Sequence, residues 1–415
     1  MGKSGLLYNL AHQLVQQRQG IGVVDVHGDL TKELERALWH LIPDKVQKQQ
    51  RVTILDPTRG AFGFNPLQIF GAHDPYPYIL ELQSLFKKLW ADAWGERMGD
   101  ILRNSCLVLA EKGLTLCELP RLLTDAAFRS AMLGGLKNRA AKEYFELRFN
   151  KLPKQEQAVW IESTLNKVSN FTGDPLIRDI VGQRRSTINF RRIIDTPGAV
   201  LLIRLPKGIL KENAFLLGAL LISKIQEAAL SRTDIPLDQR RKFTLMVDEF
   251  QHFGAKSLNF QECLSEAQKY GLSLVLAHQN IDQIDQDLLT SILGNTDCQI
   301  SFRISRRDAE VIAKEIFRVD VEELQLTDST LAEKWEEFFN ALTQLKPRQA
   351  YVVFKGRRSH LMATITKPSY NATDQQLREQ AELLMRRYCR PREEIRQEQE
   401  RRAKEFEALG EPRNF

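Results

Sequence analysis

Residues Lys242 to His252 read KFTLMVDEFQH, and no other stretch constrains the fold of this chain as tightly. Phe243 through Val247 form a nearly continuous apolar run of strand length. Such a run predicts a strand buried on both faces, as in a parallel sheet covered by helices. It ends abruptly in two carboxylates, Asp248 and Glu249. Neighbouring buried acids are costly unless a cation or a reacting water uses them. In open parallel sheets ligands bind outside the carboxyl ends of the strands, where this pair falls. A strand that ends in a solvated acidic turn would read the same way, so a second element has to decide.

That element opens the chain, as Met1-Gly2-Lys3-Ser4-Gly5. Gly2-Lys3-Ser4 matches the last three required positions of the phosphate loop G-x-x-x-x-G-K-[ST]. Lys3 is then expected on the β- and γ-phosphates of ATP and Ser4 on Mg²⁺, with Gly2 and Gly5 in the backbone wrap. Leu6, Leu7, Leu10 and Leu14 have helical spacing, so the amides of that helix would point at the phosphates. The pair as a whole reads as Walker A and Walker B. Asp248 would hold Mg²⁺, and Glu249 would orient and deprotonate the attacking water. The loop's first glycine belongs five positions before Gly2, ahead of the first residue. Met1 is therefore expected to be an internal methionine, with the reading frame continuing upstream through the strand that feeds the loop.

At 415 residues, 43% hydrophobic and 27% charged, the chain is globular and holds one large domain or two to three ordinary ones. The five cysteines (Cys106, Cys117, Cys263, Cys298 and Cys389) have neither metal spacing nor a disulfide framework, which points to reduced thiols and a cytoplasmic location. No secretory signal is visible. The strongest candidate for a membrane span, Ala214 to Ile222, falls well short of the ~20 apolar residues needed. A net charge of +6 is compatible with nucleic-acid contact. Serine-hydrolase and zinc chemistry find no G-x-S-x-G elbow and no clustered Cys and His ligands.

The strand pattern begins again at Ile21–Val26 and at Arg51–Asp56, each run ending near an acid, Asp25 or Asp56. Strands alternating with helices predict an α/β fold with a mainly parallel sheet. Acids at several strand ends fit a shared site, and fit ordinary turns equally well. From Tyr78 to Arg185 the segments read as helices throughout, broken at Gly95, Gly113, Gly134-Gly135, Pro153 and Gly173. The sheet resumes at Ala199–Leu205. A helix from Glu212 to about Ser231 leads into the DE strand, followed by a helix over Asn259–Tyr270 and a strand over Leu272–Ala277. Cys298–Ile304, Gln349–Phe354 and Leu361–Ile365 are expected to be further strands, the last two closing the sheet. The expected domains are 1–77 and 191–369 for the core, 78–190 for an all-helical insertion, and 370–415 for a charged C-terminal helical tail.

Several motifs in fixed order resemble one family. They are GKS, VVDVHGDL (Val23–Leu30), GFNPL (Gly63–Leu67), FKKLWADAWGERMGDILRN, LLIRLPKG, MVDEFQHF and EAQKYGLSLVLAHQN. Together they are similar to the HerA/FtsK-like P-loop motors, nearest to TraG/TraD-type conjugative coupling proteins of type IV secretion, over nearly the whole chain up to about Ser369. The resemblance implies a RecA-like P-loop NTPase core, a homo-hexameric ring, ATP and Mg²⁺ as cofactors, and sequence-independent movement of DNA. It also implies relaxase and secretion-channel partners, and a membrane anchor that this sequence does not carry. Gln279 resembles the glutamine that senses the γ-phosphate, an amide able to donate to phosphate and accept from water. In related proteins an arginine reaching the neighbouring subunit's phosphate precedes the Gln279 strand; Gln268 stands there instead. Lys269 and Arg303 are the substitutes in view for that trans contact. A protein-translocating secretion motor and a truncated, non-hydrolysing homologue remain as alternatives.

Overall fold

The structure, a computed structural model, describes residues 2–69, 75–90, 94–253, 266–317, 330–355 and 357–408. Five strands form the main sheet in the order β2–β4–β1–β5–β6. They are β1 (Gly20–Asp25), β2 (Val52–Leu55), β4 (Val200–Arg204), β5 (Phe243–Val247) and β6 (Leu272–Leu276). β5 runs parallel to both neighbours, from Gly20↔Phe243 to Val24↔Val247 on one side and from Phe243↔Leu272 to Val247↔Leu276 on the other. All of β1 and β2 is buried, and β5 is buried except at Thr244. Strands covered on both faces cannot alternate, which is why the sequence shows unbroken apolar runs there. β6 ends the sheet, and only its first residue is buried.

Two compact units can be distinguished, Met1–Val52 with Ile194–Leu202 and Gln226–Leu377, and Thr53–Ile193 with Ile203–Ile225 and Arg378–Phe415. In the first unit, helices α1 (Lys3–Gln16) and α2 (Asp29–Leu41) flank β1 in sequence. The segment 364–373 lies along them: Asn9 donates to the Ile365 carbonyl at 3.1 Å, and the Tyr370 hydroxyl meets His12 Nε2 at 2.6 Å. Arg232 is fully buried and gathers the ends of several segments. Its guanidinium donates to the carbonyls of Arg241 (3.0 Å), Tyr270 (2.8 Å) and Ile194 (2.6 Å) and to the Asp195 carboxylate (2.9 Å).

The expected closing strands exist but do not join the main sheet. β7 (Cys298–Ser301), β8 (Gln349–Phe354) and β9 (His360–Ala363) make a separate antiparallel sheet of order β7–β8–β9. Tyr351 and Val353 on one face pack with Ala309, Ala313, Ile316 and Phe317 of helix Arg306–Ile316 and with Leu342 of helix Leu331–Thr343. A small second core in the same unit thus claims these strands. The helix expected over Asn259–Tyr270 lies mostly outside the described residues, and its last four form a 3₁₀ turn, Ala267–Tyr270.

The second unit is mostly helical; it also takes in most of β2, the end of β4, and a short antiparallel pair, β3 (Ala61–Phe62) with β10 (Cys389–Arg390). Its helices include Pro75–Leu89, Glu96–Glu111, Lys154–Thr172 and Pro175–Val181. The charged C-terminal helix, Arg392–Ala408, is a packing arm. Arg392 and Arg396 pair with the buried Asp179 at 2.8 and 3.1 Å, Arg402 pairs with Glu118 at 2.9 Å, and Phe406 meets the Phe128 ring edge-on. One sequence expectation needs correcting. Residues Asn213–Asp234 are long and apolar enough to cross a membrane, with a mean hydropathy of 1.4. Yet 78% of its 18-residue apolar window is buried in the protein, with Leu217, Leu221, Ile222 and Ile225 wholly covered, as expected of a core helix. Ala214–Ile222 looked too short because Ser223, Lys224 and Gln226 interrupt the apolar run without ending the helix.

Candidate functional site

The site forms where β1, β5 and β6 end together. The Asp248 amide makes the last rung to the Val24 carbonyl at 3.0 Å, and the Phe250 amide reaches the Ala277 carbonyl at 3.0 Å. Between them Glu249 takes a left-handed backbone, φ 51°. A non-glycine residue there stores on the order of 1–3 kcal/mol of strain and persists only where the surroundings hold it. Phe250 and Phe253, both fully buried, anchor the 3₁₀ turn Phe250–Phe253 just beyond. The geometry throws the Glu249 side chain across the sheet end instead of along the strand.

Opposite it stands the first turn of α1. Gly2 caps this helix at φ 149°, ψ −29°, with no side-chain cap, and a Cβ at Gly2 would run into the Phe302 ring. The amides of the first turn lack intrahelical acceptors and carry the positive end of the helix dipole, so they suit an anion. Ser4 on this turn is exposed. The Lys3 ammonium lies on the Glu249 carboxylate and 3.7 Å from Asp248 Oδ1. The same Glu249 oxygen, Oε1, accepts from Gln279 Nε2 at 2.9 Å, and Oε2 accepts from Gln251 Nε2 at 2.7 Å. The Glu249 amide donates back to Asp248 Oδ1 at 3.1 Å.

These contacts set the charges. Asp248 and Glu249 are both buried. Burial, joined by the charges of Glu249 and Asp25, holds the Asp248 carboxyl above its usual range although Lys3 pulls the other way. Burial also acts upward on Glu249, but the hydrogen bonds from Lys3, Gln251 and Gln279 outweigh it and leave this carboxyl below the glutamate range. His278, the neighbour of Gln279, is pushed down by burial and by the Lys3 charge. The pair therefore splits into an acid that resists ionisation without a cation and a neighbour that is ionised readily.

Of the sequence-predicted residues, Lys3, Asp248, Glu249 and Gln279 are brought together. Gly2, Ser4 and Gly5 stand at the start of α1. Gln268 and Lys269 are exposed on the turn before β6, at the opposite end of that strand from Gln279. Arg303 is exposed and follows Phe302, the residue against Gly2. Asp25 and Asp56 do not offer free carboxylates. Asp25 accepts from the amides of His27 (2.9 Å), Gly28 (2.8 Å) and Thr31 (2.9 Å) and from the Thr31 hydroxyl (3.1 Å), tying down the start of α2. Asp56 accepts from the amide and hydroxyl of Thr58 and pairs with Arg204. Gln251 was not anticipated; its signal is the Glu-x-Gln spacing, which a tight turn folds back on the carboxylate.

Among the described residues no cluster of three or more His, Cys, Asp or Glu side chains could hold a metal. A hydroxyl and one carboxylate, with phosphate oxygens and water completing the shell, is the hard-oxygen set that Mg²⁺ takes beside a nucleotide, so Ser4 and Asp248 fit it by chemistry. The sequence profile of the family described as "TraM recognition site of TraD and TraG" matches residues 242–345. No curated protein sequence matches the chain. Among solved structures, the plasmid coupling protein TrwB in complex with the non-hydrolysable GTP analogue GDPNP is 18% identical. That match covers 89% of this chain and 84% of that one, with a TM-score of 0.62. TrwB in complex with ADP and Mg²⁺ matches at 18% identity over 91% and 85%, TM-score 0.62. VirB4 of Thermoanaerobacter pseudethanolicus matches at 14% over 91% and 88%, TM-score 0.54. The resemblance to TraG/TraD-type coupling proteins is borne out, by the profile over residues 242–345 and by a shared RecA-like P-loop fold over about nine-tenths of the chain.

Proposed function

We propose that this chain is an ATP-hydrolysing motor of the coupling-protein type, which moves DNA in conjugative transfer or a related type IV secretion event. The observation that carries the reading is the convergence of Lys3, Gln279 and Gln251 on Glu249, beside Asp248 and the first turn of α1. That is the inventory a nucleotide hydrolase needs: a cation for the phosphates, free helix amides, a metal-binding acid, and an ionised carboxylate aimed by amides. Lys3 and the α1 amides would bind the β- and γ-phosphates, and Ser4 and Asp248 would hold Mg²⁺, whose charge would neutralise phosphate oxygens. Glu249 takes the proton of the attacking water, and Gln279 holds the carboxylate while sensing the γ-phosphate. Relatives solved with GDPNP and with ADP and Mg²⁺ support nucleotide and Mg²⁺ as ligands here. A cytoplasmic homo-hexamer working with a relaxase and a secretion channel is the setting this reading implies.

The test is ATP hydrolysis by the full-length protein, with and without DNA. Turnover should rise with DNA of any sequence. The stimulation should fall steeply with salt, at a log-log slope of about −0.9 per phosphate neutralised on duplex DNA. Hydrolysis indifferent to DNA at low salt would overturn the DNA reading in favour of a motor that moves protein. The absence of any hydrolysis would leave the non-hydrolysing homologue.

A further inference from the structure

We infer that Gln251 is a positioning residue for hydrolysis, the amide that fixes the orientation of the Glu249 carboxylate from the side opposite Gln279. This rests on the reading of Glu249 as the base.

Gln279 and Lys3 both meet Oε1 of Glu249, and an oxygen held alone leaves the carboxylate free to rotate about its last bond. Gln251 Nε2 holds the other oxygen, Oε2, at 2.7 Å. Its reach follows from the backbone. The left-handed Glu249 and the 3₁₀ turn after it, closed by the His252 amide on the Glu249 carbonyl at 3.0 Å, bring residue 251 back over residue 249. Phe250 and Phe253, buried on either side, keep that turn in place.

The division of labour has a consequence for turnover. When nucleotide enters, Lys3 is drawn to the phosphates and Gln279 is offered a second partner in the γ-phosphate. Gln251 holds the oxygen that neither of them meets, so it stays on Oε2 and becomes the contact that keeps the carboxylate aimed. An in-line attack needs the base within hydrogen-bond reach of the water, and a small misplacement is enough to slow it.

The experiment compares Gln251→Met, which keeps the length and loses the donor, with Gln251→Glu, which sets a second carboxylate against the first. Both are made in the full-length protein, with Glu249→Gln alongside. Gln251→Met should lower kcat about tenfold, the equivalent of one charge-assisted hydrogen bond. Gln251→Glu should lower it further. Affinity for a non-hydrolysable ATP analogue should stay within about twofold in both, which also shows that the site has folded. In the Glu249→Gln background, Gln251→Met should cause no further loss in single-turnover hydrolysis, because its effect passes through the lost carboxylate. Unchanged kcat in Gln251→Met would overturn the inference. So would an equal loss in both backgrounds, or a matching loss of analogue affinity. Full turnover in Glu249→Gln alone would instead overturn the assignment of the base.

Discussion

Lys3 is shared between two tasks. In the structure it pairs with Asp248 and Glu249, and under the proposed function a bound nucleotide would draw it to phosphate. Removing it therefore strands two adjacent buried acids. Lys3→Met should lower the stability of the nucleotide-free protein at neutral pH by about 2 kcal/mol, below the full value of a wholly buried pair because Lys3 is partly exposed. The pH dependence follows from the two carboxyls. Glu249 sits below its ordinary value, so its ionised form contributes stability above that value, lost as pH falls through the depressed one. Asp248 sits above its ordinary value, so its ionisation costs stability, and the cost vanishes as pH falls through the raised value. Lys3 pulls both downward, and without it both rise. The deficit of Lys3→Met should therefore shrink as pH falls through the carboxylate range. Urea unfolding at several pH values checks this, and a deficit independent of pH would mean that Lys3 acts through packing. Lys3, Asp248 and Glu249 stood out in the sequence because their chemistry demands particular residue types at strand and helix ends, and Gln279 stood out through the family resemblance. Gln251 and Phe302 did not. One leaves only a Glu-x-Gln spacing that acquires meaning through a left-handed turn, and the other depends on a contact across some 300 positions, which leaves no local pattern.

At the scale of elements, the β-strands of the main sheet could be read almost to the residue. Burial on both faces leaves an apolar run with few alternatives, as at Phe243–Val247 and Val200–Arg204. Which sheet a strand joins is another matter. Gln349–Phe354 has the same local texture as a core strand, and its allegiance is decided by Phe317, Phe338 and Tyr351, which stack together far apart in sequence. Helix Leu331–Thr343 was missed although its start carries the T-x-x-E signature, realised here as a capping box of Thr330 and Glu333. The ends of β5 and β6 depend on Arg232, whose guanidinium serves three carbonyls from separate segments. Gly271 leaves room for it: φ is +75°, and a Cβ would sit 2.7 Å from the Arg241 carbonyl and 3.1 Å from the Arg232 guanidinium. Arg232→Leu should fill the space and orphan those carbonyls, lowering stability by about 3 kcal/mol. A urea midpoint consistent with less than about 1 kcal/mol would show that other donors or water replace it.

At the scale of the whole molecule, the question is which parts of the chain act within one copy and which act between copies. Gln268 and Lys269 sit exposed before β6, whereas Gln279 and Glu249 lie past its other end. Five residues of strand span about 17 Å, more than an arginine side chain reaches. Whatever residue occupies position 268 therefore cannot serve the nucleotide of its own copy, and any contact it makes with phosphate must be to a neighbour. Arg303 is placed differently, next to the residue that packs on Gly2, on the same copy's side of the site. In the ring that the proposed function implies, Gln268→Arg should restore a cation to the neighbour's transition state, where such an arginine can contribute 10³–10⁵ in rate. The gain should be absent in dilute, dissociated protein and should grow with concentration as copies associate. Hydrolysis per subunit, measured across the association range by the same assay that reports assembly, decides the matter. A gain equal at every concentration would mean that residue 268 works within its own copy, against the geometry. No gain in the assembled state would mean that the trans cation comes from another residue. Arg303 would then be the next position to substitute: its loss should slow only the assembled protein if it reaches a neighbour, and assembled and dissociated protein alike if it serves its own site.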